Sequence, residues 1–143
     1  MIGNSSSEKS TSAVQWQPED GWLGIMPGKT SIKDAINRLG GTCETSEMAN
    51  GFSFDFQDGL IRVTTIEHQG TISKIWISGK LAETNLKGLI PANLKSATES
   101  FAGLSRMKSD SHNADIYEAP GVRLAIASGN DNGSLMWIEF IPL

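Results

Sequence analysis

Apolar residues recur at helical spacing in one segment of the first half of the chain. They are Ile32, Ala35, Ile36 and Leu39. Side chains three and four positions apart lie on one face of a helix, so this spacing predicts an amphipathic helix. Ser31 or Thr30 can cap its N-terminus by accepting a hydrogen bond from a free backbone amide. Gly40 and Gly41 follow the last apolar position and are expected to end the helix.

Three segments after this helix alternate between apolar and polar residues, which is the pattern of half-buried strands. They are 52–56, 60–67 and 71–78. Asp58-Gly59 stands between the first two segments, and Gly70 precedes the third. Glycine-containing turns of this kind join antiparallel strands as hairpins. The pattern therefore predicts a helix followed by three antiparallel strands.

The second half of the chain repeats this pattern. The repeated segments are 93–103, 114–118, 122–128 and 134–141, at shifts of 62, 62, 61 and 63 positions. In the second of these segments, the shift places Ile116 over Phe54 and Tyr117 over Asp55. The changes in shift fall in turns, where two copies of one structural unit tolerate length differences.

We therefore expect an α+β fold of two tandem α-β-β-β units. Their strands would form one mainly antiparallel sheet, with both helices packed on one face. The expected boundaries are a flexible polar tail at 1–18, a first unit at 19–82 and a second unit at 83–143. The tail is predicted because residues 1–14 are rich in Ser and Thr and poor in apolar side chains.

Strand alternation also predicts which side chains point away from the helices. The candidate partner-binding residues on that face are Arg62, Trp76, Tyr117, Arg123 and Trp137. Tryptophan, tyrosine and arginine are enriched in the residues that dominate protein interfaces. In a competing interpretation, the N-terminal segment around Trp16 and Trp22, or a second copy of the chain, covers the outward tryptophans.

Composition excludes several classes of function. The net charge of −4 and a pI near 5.1 argue against nucleic-acid binding, which needs a surplus of Lys and Arg. The single cysteine, Cys43, excludes an intramolecular disulfide and a thiolate zinc cluster. The apolar runs are shorter than the ~20 residues of a membrane-spanning helix, and no signal-peptide core is present.

The sequence contains little that suggests catalysis. Asp110, His112 and Asp115 lie close together, but polar loop residues of these types are common, and His68 falls in a predicted turn. Residues 130–133 resemble a calcium loop only faintly and lack its glutamate. No phosphate-binding loop or nucleophile elbow is present. We predict no enzyme activity, no cofactor and no metal site.

A resemblance to a known family rests on three features. They are the run Gly24-Ile25-Met26-Pro27-Gly28-Lys29-Thr30-Ser31, a helix ending in Leu39-Gly40, and a Phe-rich hairpin with Asp58-Gly59. Together they resemble the β-lactamase-inhibitor-protein-like superfamily, which includes the BamE-type outer-membrane assembly lipoproteins. The resemblance covers about residues 21–80, and it extends to 87–141 only through the internal repeat. It implies a tandem-repeat fold, binding to another protein and, in many members, an exported or envelope location.

From these observations we expect a non-catalytic protein-binding module that binds a protein partner, or a second copy of itself, through the open sheet face. The expected location is periplasmic, cell-envelope or extracellular in a bacterium, with membrane tethering through a lipid anchor ahead of this sequence. One alternative is a small-ligand-binding protein or enzyme with a cleft between the two units. A second alternative is a structural homodimer.

Overall fold

The structure is a computed structural model that describes residues 15–82, 89–110, 113–128 and 133–143. Its main feature is one eight-stranded sheet in which all neighbouring strands are antiparallel. The strands are β1 (Glu44–Met48), β2 (Gly51–Phe56), β3 (Ile61–Thr65), β4 (Ile72–Ser78), β5 (Ser105–Asp110), β6 (Ala114–Ala119), β7 (Val122–Ala127) and β8 (Leu135–Phe140). Their order across the sheet is β1-β2-β3-β4-β8-β7-β6-β5.

Helices are short in this fold. They are the α-helices α1 (Ile32–Leu39) and α2 (Leu94–Ser100) and the 3₁₀ turns Pro18–Asp20 and Gly79–Leu81. Both α-helices begin with a side-chain cap. The Ser31 hydroxyl accepts a hydrogen bond from the Asp34 amide at 3.2 Å, and the Asn93 side-chain oxygen accepts one from the Ser96 amide at 2.9 Å. The caps satisfy amides that lack a partner within the helix.

The predicted α+β fold of two α-β-β-β units is wrong, because the sheet dominates the molecule. The two α-helices have only eight and seven residues, and each half of the sheet has four strands rather than three. The prediction missed the edge strands β1 and β5. All five residues of β1 and the first three of β5 are exposed, so neither of these runs shows the alternation of a half-buried strand. They form by backbone pairing with β2 and β6.

An internal two-fold axis relates the two halves of the sheet. At the junction of the halves, Ile75 on β4 pairs with Phe140 on β8, and Ile77 pairs with Ile138. The repeat at a shift of 63 exchanges these two pairs, since it places Ile75 on Ile138 and Ile77 on Phe140. The axis therefore passes through the residue pair between them.

The same backbone hydrogen bonds join each helix to the last hairpin of its own half. The Ile32 amide donates to the Gly70 carbonyl, and the Leu94 amide donates to the Gly133 carbonyl, both at 3.0 Å. The two halves therefore share their local connections as well as their strand order.

The predicted repeat places β6 one residue out of register with β2. Phe56 at the end of β2 pairs with Ile61, and Ala119 at the end of β6 pairs with Val122. Phe56 therefore corresponds to Ala119, which is a shift of 63 rather than 62. A slip of one residue moves every side chain of a strand to the other face, and Tyr117 consequently points to the side opposite from the predicted one.

The main hydrophobic core lies on one side of the sheet, which we call the inner face, and the opposite side is the outer face. Trp16 and Trp22 are buried in this core with residues of both α-helices. The interpretation in which their segment covers the outer face is therefore wrong. Trp16 belongs to the predicted tail, whose residues 1–14 lie outside the described residues, as does the segment 83–88 at the predicted unit boundary.

Candidate protein-binding face

A row of mostly charged residues crosses the centre of the outer face. Directly paired residues on neighbouring strands point to the same side of a sheet, so the row can be followed from pair to pair. It consists of Asp55, Arg62, Trp76, Glu139, Arg123 and Glu118. We call these six residues the charged row. Trp76 and Glu139 form the pair through which the internal two-fold axis passes.

Ion pairs connect the residues in the second half of the charged row. Arg123 Nε lies 2.8 Å from Glu118 Oε2, and Arg123 Nη1 lies 3.7 Å from Glu139 Oε1. Lys74 lies beside the row on β4, with its Nζ 3.3 Å from Glu139 Oε2. The buried Glu139 carboxylate thus lies between two cations, which offset the cost of removing it from water.

The first half of the charged row combines an ion pair with an aromatic contact. Arg62 Nε is 3.5 Å from Asp55 Oδ2. The guanidinium carbon of Arg62 is also 5.8 Å from the centroid of the Trp76 ring, within the range of a cation–π interaction. Trp76 is half-buried, so part of its ring remains at the surface.

A small apolar cluster lies on the outer face of the second half. Ala114, Ile116 and Ala125 are buried there, and the half-buried Trp137 packs against them. Strand pairing places Ile116 beside Ala125 and Ala125 beside Trp137. These residues face away from the main core, so Trp137 contributes to shielding them from water.

A β-bulge brings Met136 to the outer face next to Trp137. Bulges at equivalent places leave Ser73 in the first half and Met136 in the second half outside the regular register. The Ser73 hydroxyl lies 3.0 Å from the Thr64 hydroxyl on the outer face, and the repeat places Met136 at the same position. Met136 is exposed. We call Met136, Trp137 and the three buried residues beneath them the apolar patch.

The first half carries small or polar residues where the second half carries the apolar patch. The equivalent positions are Gly51, Ser53, Thr64, Ser73 and Lys74. Here the Ser53 hydroxyl donates to Asp55 at 2.6 Å, and the Ser73 hydroxyl donates to the Thr64 carbonyl at 3.1 Å. Both halves bury apolar residues on the inner face. Their outer faces, in contrast, have different chemistry.

Most of the predicted site residues lie together on the outer face. They are Arg62, Trp76, Arg123 and Trp137. The predicted placement of Tyr117 is wrong, since it is half-buried against the main core on the inner face. Sequence reasoning also missed Ile116 and Met136 as parts of the site. Aligning both β2 and β6 on the turns that end them would have placed Ile116 on the outer face.

The described residues contain no group of three or more His, Cys, Asp and Glu side chains arranged to hold a metal ion. His112 and residues 130–132 lie outside the described ranges. His68 is exposed, and its ring contacts Phe52 edge-on at 5.1 Å. A cleft of about 320 Å³ beside the end of α1 is lined by apolar, Gly, Thr and Gln residues, which provide no general acid or base.

The chain was also compared with known proteins. Protein-family models, curated proteins and solved structures gave no match. Within the described ranges, no helix has the length and apolar character needed to cross a membrane. The similarity to the β-lactamase-inhibitor-protein-like superfamily therefore stays a prediction from the residues that carry it.

Proposed function

We propose that this chain is a non-catalytic protein-binding module that binds a protein partner on the outer face of its sheet. The apolar patch is the observation that carries this proposal. The first half builds the same four strands with small or polar residues at the equivalent positions, so the fold itself does not require apolar side chains there. An apolar cluster that exposes Met136 and part of Trp137 is best explained by contact with another molecule.

The composition of the outer face supports the same proposal. Protein interfaces commonly have an apolar centre and a polar rim, and tryptophan and arginine are enriched among the residues that dominate their affinity. The apolar patch provides an apolar contact area in the second half, and the charged row borders it on one side. Trp137 already packs against Ile116 and Ala125, so less side-chain entropy is lost when a partner binds it.

We also propose that the protein acts outside the cytoplasm, as an exported bacterial envelope protein or lipoprotein. The support for this location is the superfamily resemblance, which implies an envelope location in many members. Fractionation of cells that express the natural gene with a C-terminal tag should find the tagged protein in periplasmic or membrane fractions. Its recovery only in the cytosol would contradict this part of the proposal.

A capture experiment with matched variants tests the binding function. The full chain, Trp137→Ala and Ile66→Ala are immobilised separately and exposed to extract from the source cells. Ile66 is an exposed apolar residue in the first half, outside the apolar patch, so its variant controls for the loss of surface apolar area. The partner is the protein retained by the natural chain and by Ile66→Ala but not by Trp137→Ala.

The purified partner is then titrated calorimetrically against all three proteins. Removal of a central tryptophan should weaken binding at least about tenfold, while Ile66→Ala should leave the affinity unchanged. Thermal melting of Trp137→Ala must show that it remains folded. Equal capture by all three proteins would contradict the proposal. So would sedimentation data in which the natural chain forms a dimer that Trp137→Ala abolishes, because the outer face would then join two copies of this chain.

A further inference from the structure

In each ion pair of the outer face, the cation is more exposed than the carboxylate. The Arg62 side chain is 54% exposed and that of Asp55 is 22% exposed. For Lys74 and Glu139 the values are 45% and 10%. Arg123 is 42% exposed, more than either of its carboxylate partners. At the centre of the outer face the more exposed charged groups are therefore the cations. A further exposed carboxylate, Glu44, lies beside Asp55 on the edge strand β1.

These cations have the capacity to bind further acceptors. A guanidinium group carries five N–H donors on three nitrogens, and the ion pairs of Arg123 involve only Nε and Nη1. The 3.5 Å separation between Arg62 Nε and Asp55 is longer than an ordinary N–H···O hydrogen bond. A ligand carboxylate can therefore approach either arginine, and arginine binds carboxylates in a planar, two-point geometry.

The cations lie close enough to the apolar patch to act together with it. Arg62 on β3 and Arg123 on β7 are three strand spacings apart, or about 14 Å. Arg123 is the nearest cation to the apolar patch, since it is two residues before Ala125, which pairs with Trp137. Lys74 lies on the other side of the charged row from Trp137, four residues or about 13 Å along the antiparallel strands. One short segment of a partner can therefore contact the apolar patch and at least one cation at the same time.

We infer that the partner presents an acidic segment to the outer face, in which Asp or Glu side chains flank an apolar side chain. This inference rests on the proposed function and adds the chemistry of the partner. The carboxylates bind at Arg62, Lys74 and Arg123, and the apolar side chain packs against Trp137 and Met136. A basic segment would meet the exposed cations and be repelled.

The net charge of −4 does not oppose this assignment. The Debye length is about 8 Å at physiological ionic strength, so charges within the contact outweigh those on distant parts of the surface. A nucleic-acid backbone fits less well, because each of these three cations has a carboxylate beside it and the described side chains of the face form no continuous positive groove of the kind that a phosphate chain follows.

Selection of peptides on the full chain tests the inference without knowledge of the natural partner. A phage-displayed library of random dodecapeptides is selected on the natural chain at an ionic strength of about 0.15 M. Phage that also bind Trp137→Ala are removed, which leaves peptides that depend on the apolar patch. We expect the remaining peptides to be enriched in Asp and Glu, and depleted in Lys and Arg, relative to the unselected library.

Synthetic copies of the selected peptides are then titrated against two double variants. Arg62→Gln with Lys74→Gln removes two cations from the outer face. Lys29→Gln with Lys33→Gln makes the same change in net charge at two exposed lysines outside the outer face. The first double variant should bind about tenfold more weakly than the natural chain, and the second should bind with unchanged affinity.

The outcomes separate this inference from the proposed function. Peptides that depend on Trp137 but are not acidic, or that bind the Arg62→Gln, Lys74→Gln protein with unchanged affinity, would overturn the acidic assignment and leave protein binding supported. Failure to select any Trp137-dependent peptide would count against both. Binding of a fluorescent single-stranded oligonucleotide that competes with the peptides would overturn the inference in favour of nucleic acid.

Discussion

Replacement of Trp16 by alanine should lower the free energy of unfolding by about 3 to 4 kcal/mol. Trp16 is 8% exposed, and its ring lies 5.4 Å from that of Phe101 and 5.5 Å from that of Phe140. Its amide donates to the Ser100 carbonyl and its indole N–H to the Gly21 carbonyl, both at 2.8 Å. Truncation of buried Phe or Trp to Ala costs about 3–5 kcal/mol. We expect the lower part of this range, because Trp16 is not completely buried.

Urea unfolding followed by far-UV circular dichroism measures this loss, since tryptophan fluorescence would change with the substitution itself. The midpoint should fall at an unchanged slope, with a decrease in Tm of about 10 °C. Trp16→Phe is the matched control. It keeps an aromatic ring in the core and loses the indole hydrogen bond, so it should cost only about 1 kcal/mol. A loss below about 1 kcal/mol for Trp16→Ala would refute the packing of this segment on the inner face.

Three further predictions concern the two faces and the junction of the halves. Tyr117→Ala should lower the free energy of unfolding by about 2 kcal/mol without weakening binding to the partner, whereas Trp137→Ala should chiefly weaken that binding. Urea unfolding and calorimetry distinguish the two effects. Loss of partner binding in a folded Tyr117→Ala protein would contradict the inner-face placement of Tyr117. Glu139→Gln removes the carboxylate shared by two half-exposed cations. Urea unfolding should therefore show that the free energy of unfolding falls by about 1 kcal/mol. An unchanged free energy of unfolding would mean that these ion pairs contribute nothing to stability. Gly79→Ala should cost at least about 3 kcal/mol or prevent soluble expression, because a Cβ there would overlap the Leu135 carbonyl; a normal melting curve would contradict that close contact.

The strands with one buried and one exposed face were predictable from the sequence. In β3 and β4, Ile61, Val63, Ile75 and Ile77 are buried on the inner face, and their alternation with polar or aromatic residues predicted that face. Alternation along a strand shows which side chains face the core only when one side of the strand is apolar and the other is not. In β6 both faces are covered, because Ile116 is buried on the outer face and Tyr117 packs on the inner face. The sequence of β6 therefore fits either register equally well.

The part of the candidate site that lies on strands with apolar inner positions was also predictable from the sequence. The face of Arg62, Trp76, Arg123 and Trp137 follows from alternation in strands whose inner positions are apolar. The apolar patch was not predictable, because it depends on the register of β6 and on a β-bulge at Met136. A bulge shifts side chains relative to simple alternation, and only strand pairing shows where it lies.

By itself, the sequence determined the short helices, a capping residue for α1 at Ser31 or Thr30, the turns at 57–59 and 120–121 and the internal repeat, because each depends on residues close together in the chain. Only the tertiary structure decided the edge strands, the register of β6 and the position of the N-terminal tryptophans. All of β1 and the first three residues of β5 are exposed and mostly polar, so backbone pairing with a neighbour is what makes them strands. Trp16 reaches the core through contacts with Phe101 and Phe140, more than eighty positions away in the chain. No local pattern encodes contacts at that separation.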